Sequence, residues 1–410
     1  MNVWILQTGE PLHIDDDDLR PMRAINLSNK LAEAGHNVVI FSAAFYHQKK
    51  YHRTKKFTVH KVNKNIEIRL IPSIGYSNHI GFRRLFDHSQ LAWNLKNLLK
   101  TEKNIPDVAF IGYPPIETAA VMSSWLKDNG VPMLLDVKDL WPHVFVDACP
   151  VYIKPFAQFL LYFYFYLAKK TMKNADGIST MSQGFLTWTL AFSGKSESSA
   201  NKIVRLTSLD YSASDKELQL ATKWWNSIGV VNNVPLVFFI GTFSTSFNFD
   251  DVYAAAKKHQ DCQFVLCGDG PCLKEIKNQM FGLPNVFFPG WIDSLKMNSL
   301  SKMSMASIAP YIEVQNFALN IPNKIVDSLV LGVPILSPLS GEVQNLIKKY
   351  DIGFTYNSKL TLSSCIDKLL KDKDLQLEMS NNARSLYLSE FEFNYVYDNL
   401  VSHLEYLSKK

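Results

Sequence analysis

In the stretch NIPNKIVDSLVLGVPIL, residues 320–336, Lys324 and Asp327 stand three residues apart between Pro322 and Gly332. That spacing puts both side chains on one face of a helix. Pro322 suits the first helical turn, where its missing N–H leaves no hydrogen bond unmade, and Gly332 suits the stop before an apolar strand. The free N–H groups of such a helix start, with Asn323 in its first turn, the positive end of its dipole and the Lys324 ammonium can hold a diphosphate. Asp327, an acceptor only, can take hydrogen bonds from a ribose diol. The pair therefore matches a nucleoside diphosphate. By spacing alone it equally matches a solvated Lys–Asp pair, which contributes little.

Three glycine-containing loops point to the same place. In open α/β sheets ligands sit outside the carboxyl ends of the strands. After VFFI come Gly241 and Thr242, after FVLC come Gly268 and Gly270, and after VFFP come Gly290 and Trp291. Each alone is ordinary turn chemistry. Three in register predict a crevice in which a ligand approaches the backbone.

The elements that must position these residues follow from the alternation of apolar runs with helical segments. VWILQT, the segment RPMRAINLSNKLAEAG and HNVVIFSA read as β-α-β, which calls for a parallel sheet covered by helices. The pattern continues through EIRLIPS, DVAFIG, PMLLDV and ADGISTMS, and a second series runs from PLVFFIG to IGFTY. The polar, weakly periodic stretch 193–233 predicts a link. The expected organisation is α/β throughout, with two doubly wound Rossmann-like domains: 1–210, a linker over 211–233, and 234–410. The last, aromatic-rich helix caps the second domain or packs back on the first.

Bulk properties narrow the function classes. At 410 residues the chain exceeds the size at which one core stops growing. No segment reaches the roughly 20 apolar residues needed to cross a bilayer. The N-terminus lacks the basic start of a signal peptide and reads as a strand, so a cytoplasmic protein is expected. Five cysteines without C-x-x-C spacing read as reduced structural thiols. Residues 1–210 hold 25 Lys and Arg against 18 Asp and Glu, and much of the excess lies in HQKKYHRTKKFTVHK with Arg83 and Arg84 further on. Such a patch suits an anionic surface or is a solvated loop. Without an interleaved base-stacking geometry or an accompanying nucleic-acid-binding motif it does not predict nucleic-acid binding. KPFAQFLLYFYFYLAKKTMK, residues 154–173, is too short to span a membrane and either lies in its interface or forms a buried helix. DDDD, residues 15–18, reads as a solvated helix-start loop, with metal binding the alternative. His36 in a Gly-His turn reads as structural, while His13 and His143 stay open.

The second half resembles the C-terminal domain of glycosyltransferase family 4, enzymes of the GT-B fold that transfer a sugar from a nucleotide donor with retention. The resemblance rests on FVLCGDGP, VFFPGWID and PNKIVDSLVLGVPILSPLSGE. In the first half, GEPLHIDDDDLRPMRAINLSNKLAEAGHNVVIFSA, DVKDLWP and GISTMSQGF are similar to the bacterial branch that builds O-antigen, capsule and other surface polysaccharides.

The resemblance implies a ligand cleft between the two domains, with the donor held by the second and the acceptor by the first. Asp327 matches the second acid of the E-x7-E motif, which holds the ribose. The first acid falls at Leu319, so its contact with the donor sugar passes to Glu313, Asn316 or backbone groups. The Arg and Lys usual after the first strand are replaced near Thr242 and Phe247, leaving Lys324 to meet leaving-group charge. Asp139 orients or deprotonates the acceptor hydroxyl. Lys138 stands where relatives often have His, and Glu10 and His13 belong to the acceptor-side loop. The implied reaction is retaining transfer from a UDP- or GDP-sugar to a glycan or polyprenyl-diphosphate-linked acceptor, with no metal or other cofactor. Peripheral contact with an anionic membrane at its inner face is expected. The alternatives are a sugar-nucleotide epimerase of the same fold and a non-catalytic sugar-nucleotide-binding partner.

Overall fold

The computed structural model describes residues 1–15, 20–77, 81–210 and 213–410. Two compact units emerge: residues 1–204 with 397–410, and residues 205–396.

The first unit is built on a sheet whose strands lie in the order Lys202–Ile203, Gly177–Thr180, Met133–Val137, Val108–Tyr113, Asn2–Leu6, Asn37–Ala43, Ile66–Ile71 and Thr58–Lys61. All pair in parallel except the edge strand Thr58–Lys61. Every residue of Val108–Tyr113 and of Met133–Val137 is buried. This explains why those segments read as continuous apolar runs rather than alternating ones. Trp4, Ile111, Leu135 and Met122 pack in one core between sheet and helices.

The second unit carries a fully parallel sheet in the order Val286–Gly290, Gln263–Cys267, Leu236–Ile240, Ala306–Ile308, Ile335–Ser337 and Gly353–Thr355. The chain starts at Leu236–Ile240, winds outward to one edge, and returns to begin the other half at Ala306–Ile308. The topological switch point therefore falls between these two strands, and ligands favour the crevice at such a point. On one face Phe239, Phe243, Phe249 and Phe264 pack together, each wholly or almost wholly buried side chain contributing about 1.5–3 kcal/mol.

The stretch read as a linker is ordered differently. Residues Asp215–Ser227 form a helix, opened by a reciprocal capping box between Ser214 and Glu217. Leu218, Ala221 and Trp225 are its buried residues, and the Trp225 indole donates to Lys296 O at 3.1 Å. The S-x-x-E signature was present in the sequence and marks a helix start. The final helix, Phe393–Leu407, is tied into the first unit from Tyr397 onward. Its Glu405 meets His36 at 2.9 Å and its His403 meets Ala200 O at 2.9 Å. His36 is thus structural.

Candidate functional site

In the second unit the helix Asn323–Leu331 starts at the switch point and ends on Gly332, which adopts φ 63° and ψ 44°. Pro322 is its extended N-cap, one residue earlier than the spacing predicts. The Lys324 ammonium reaches across to the carboxyl end of the first strand and donates to Ile240 O. It lies 4.4 Å from the Phe239 ring centroid and 5.0 Å from that of Phe247. Two aromatic faces and a carbonyl therefore fix one cation at the head of the sheet. The Lys324 backbone N–H donates to the Tyr311 hydroxyl, so this part of the helix start is occupied by the protein itself. Burial, then the Asp327 charge, push the Tyr311 phenol well up.

The glycines prove to serve chain-to-chain contact. A Cβ on Gly241 would lie 1.7 Å from Lys324 Nζ. On Gly268 it would lie 1.9 Å from Gly241 O, and on Gly270 it would lie 2.3 Å from Phe243 O. The strand-end loops are knitted by Gly241 N to Cys267 O at 3.0 Å, Gly268 N to Gly290 O at 2.7 Å and Phe243 N to Asp269 O at 2.9 Å. The Cβ side of each of these glycines is filled by backbone or by Lys324. The loop is further pinned by the Phe247–Tyr311 bridge and by Ile312 N to Ser246 O at 3.0 Å.

Lys324 and Asp327 share one small pocket with Ile240, Ser307, Ser328 and Met297. Thr242, Asn323 and Glu313 are exposed, and Trp291 is 62% exposed. Leu319 ends the short helix Gln315–Ala318. On that helix Asn316 keeps a buried Oδ1 with no hydrogen-bond partner among the described residues, whereas Glu313 stands in the loop before it.

In the first unit the carboxyl ends of the central strands carry a buried ionic cluster. The Lys138 ammonium contacts Glu10 Oε1 and lies 3.5 Å from Asp136 Oδ2. Arg23 donates to Asp136 Oδ1 at 2.8 Å and to Val204 O at 2.9 Å, and Ser179 adds a bond to the same Asp136 oxygen at 2.9 Å. Glu10 Oε2 accepts from Ala24 N at 2.7 Å, placing a carboxylate on the N-terminus of the helix Arg23–Glu33. Burial opposes the Arg23 charge, but Asp136, Tyr397 and Glu10 outweigh it and raise its pKa. Arg23 and Asp136 were not singled out in the sequence, because a strand-interior Asp and a first-turn Arg carry no local signature.

Beside this cluster opens a pocket of about 210 Å³. Three residues expected on the acceptor side, Glu10, Lys138 and Asp139, line it, together with Gln7, His47, Tyr76, Arg84, His88 and Trp141. His13 does not; its Nε2 meets Asn29 Oδ1 at 2.8 Å. His143 is enclosed by Phe165, Trp188 and Phe192 with ring centroids 4.9–5.1 Å away, and burial lowers its pKa. It is a packing residue.

The basic stretch 47–61 is not one solvated patch. Arg53 is buried against Asp15 at 2.5 Å, so Asp15 is not in a solvated loop either. His52 Nε2 meets Ser73 O at 2.9 Å. Lys55, Lys56 and Lys61 remain exposed. Asp16, Asp17 and Asp18 lie outside the described residues. Among the described residues no group of three His, Cys, Asp or Glu is placed to hold a metal ion.

The fold is GT-B. Over 99% of the chain it superimposes on 98% of a sucrose-phosphate synthase from Thermosynechococcus elongatus, at 15% identity and a TM-score of 0.73. HepE of Anabaena, solved with UDP and glucose, matches at 14% identity and TM-score 0.65, covering 98% of this chain and 99% of that one. WaaG, a glycosyltransferase involved in lipopolysaccharide biosynthesis, matches at 12% and 0.65 over the same shares. Residues 222–386 match the family model of glycosyl transferases group 1. No curated protein sequence matches.

Proposed function

We propose that the protein is a retaining glycosyltransferase of the family 4 type. It takes a sugar from a UDP- or GDP-sugar and passes it to a glycan or lipid-linked acceptor in bacterial surface-polysaccharide synthesis. The observation that carries this reading is the Lys324 ammonium, fixed on Ile240 O at the switch point of the second unit with Asp327 one turn further along the same helix. When the bond from the anomeric carbon to the donor phosphate breaks, its electron pair leaves with the diphosphate. A positioned cation there lowers the barrier by several kcal/mol, on the order of about 2.7–4 kcal/mol for one well-placed donor. Asp327 holds the ribose diol. Asp139 in the first unit orients the acceptor hydroxyl, which forms the new bond to the anomeric carbon and gives up its proton to that carboxylate. Asn316, whose amide oxygen is buried without a partner among the described residues, takes over the sugar contact that Leu319 cannot make.

The reading includes peripheral attachment to an anionic lipid surface. The helices Lys154–Leu160 and Tyr162–Asn174 leave Phe156, Phe159, Tyr162 and Phe163 61–76% exposed, beside Lys154, Lys169, Lys170 and Lys173. Apolar rings flanked by cations suit the headgroup boundary. No described helix is long and apolar enough to cross a membrane.

The test is a thermal-shift series with UDP, GDP and CMP, followed by Asp327→Ala. A nucleotide at 100 times its dissociation constant adds about 2.7 kcal/mol of stability. UDP or GDP should raise the melting temperature of the parent protein, and Asp327→Ala should abolish the rise. An undiminished rise in the variant, or no response of the parent to either nucleotide, refutes the reading.

A further inference from the structure

The helix Phe82–Thr101 of the first unit has two working faces. Its inner face sends Leu91, Leu95 and Leu99 into the core, while Arg84, Asp87 and His88 stand in the wall of the 210 Å³ pocket. Its outer face carries Phe82, Phe86 and Trp93, which are 61–91% exposed. At 3.6 residues per turn these three rings fall within about 40° of one line along the helix, and the exposed Lys96 and Lys100 continue that line. The helix Tyr162–Asn174 repeats the order: Tyr162, Phe163 and Tyr166 are exposed on its first half, and Lys169, Lys170 and Lys173 on its second. Phe82–Thr101 joins the strand Ile66–Ile71 to Val108–Tyr113, and Tyr162–Asn174 leads into Gly177–Thr180. In a parallel sheet such connections run back against the strands. Both aromatic halves therefore lie toward the carboxyl ends of the strands, on the side of the pocket, and both lysine halves toward the amino ends.

The two stripes meet. The helix Ile116–Asp128 packs against both helices. The Tyr164 hydroxyl donates to its Glu117 Oε1 at 2.9 Å and also meets the Ser89 side chain of Phe82–Thr101, one turn beyond Phe86. The exposed rings of both helices thus belong to one surface, and a contiguous apolar surface of that extent marks an interaction site. Charge says what covers it. Residues 82–101 contain one acid, Asp87, which is buried, and residues 154–174 contain none. Rings edged by lysines without exposed acids on the same helices complement an anionic plane, with the aromatic faces at its boundary. A second copy of the same face would set lysines against lysines.

We propose that Phe82, Phe86 and Trp93 form a second contact with an anionic phospholipid surface, so that the first unit rests on lipid through two aromatic stripes, with Lys96 and Lys100 among the headgroups. This assignment rests on the reading of the helices within 154–174 as a lipid contact. It goes beyond that reading by adding the helix Phe82–Thr101, whose back lines the pocket that holds Asp139. The pocket wall then stands one helix thickness, about 10–12 Å, from the headgroup boundary.

The experiment uses the full chain with vesicles of phosphatidylcholine, alone or mixed with phosphatidylserine. The parent should sediment with the mixed vesicles and not with phosphatidylcholine alone. Phe82→Ser with Phe86→Ser should lower partitioning into the mixed vesicles about ten-fold or more, since burial of two rings is lost. The melting temperature without lipid checks that this variant is folded. Phosphatidylcholine with brominated acyl chains, placed in the mixed vesicles, should quench more tryptophan fluorescence in the parent than in Trp93→Phe. A folded Phe82→Ser, Phe86→Ser variant that partitions like the parent, or equal quenching of the parent and Trp93→Phe, overturns the second contact. Release by Phe159→Ser with Phe163→Ser would in that case keep the first. Equal sedimentation with both vesicle types overturns the choice of an anionic surface, and a parent that sediments with neither overturns both contacts. A dimer in sedimentation velocity that Phe82→Ser dissolves gives the face to a second copy and overturns the assignment as well.

Discussion

Replacing Gly241 by Ala tests why the donor-side loop has its shape. The new methyl carbon would lie 1.7 Å from Lys324 Nζ and 3.0 Å from its Cε, on a backbone with φ of 151°. Nothing can stand at 1.7 Å, so the ammonium must leave Ile240 O. Losing that charge-assisted hydrogen bond costs about 1.5–3 kcal/mol, and holding a non-glycine residue at this φ costs about 1–3 kcal/mol more. The single variant should therefore lose about 2.5–6 kcal/mol locally. In a Lys324→Met background the ammonium is already gone and only the backbone part, about 1–3 kcal/mol, should remain. The predicted coupling between the two positions is the difference, about 1.5–3 kcal/mol. Hydrogen exchange of the Leu236–Ile240 strand in the parent, both single variants and the double variant reads it directly. A coupling below about 0.5 kcal/mol, the range of independent sites, would show that Gly241 is not there to admit Lys324.

Two further expectations concern the first unit. Arg23→Met leaves Asp136 in the core without the guanidinium that meets its Oδ1 and should lower stability to denaturant by about 3–5 kcal/mol, with most of the loss recovered by adding Asp136→Asn; failure of the second change to rescue would remove the ion pair as the cause. Phe159→Ser with Phe163→Ser should release the protein from phosphatidylserine-containing vesicles in a sedimentation assay, because burying each ring contributes about 1.5–3 kcal/mol. Unchanged sedimentation refutes the lipid contact. Phe165 is no substitute in that test, since it packs against His143 at 4.9 Å and Phe192 at 6.2 Å.

The alternation of apolar runs with amphipathic segments, and the helix 323–331 with its Gly332 stop, could be read directly from the amino-acid order. Each depends on neighbours within a few residues, as hydrophobic periodicity and capping do. The stretch 211–233 was misread because its helix buries only one narrow face, Leu218, Ala221 and Trp225, and dilutes that signal with polar residues. The Lys324 and Asp327 positions were legible, but their surroundings were not. That Lys324 would cross to Ile240 O, and that Gly268 would touch Gly241 O, are contacts between segments dozens of residues apart.

The first unit shows the same division more sharply. Its strands were evident, yet Arg23 forms one buried network with Asp136 and Val204, 113 and 181 positions further along, that no local pattern encodes. By sequence, Lys50 and the more distant Arg84 suit either an anionic surface or a solvated loop, and folding places both near one tyrosine ring. Local order fixes which segments become strands and helices. Where a charge ends up depends on which strand ends the parallel winding brings side by side, and that is settled only when distant segments pack.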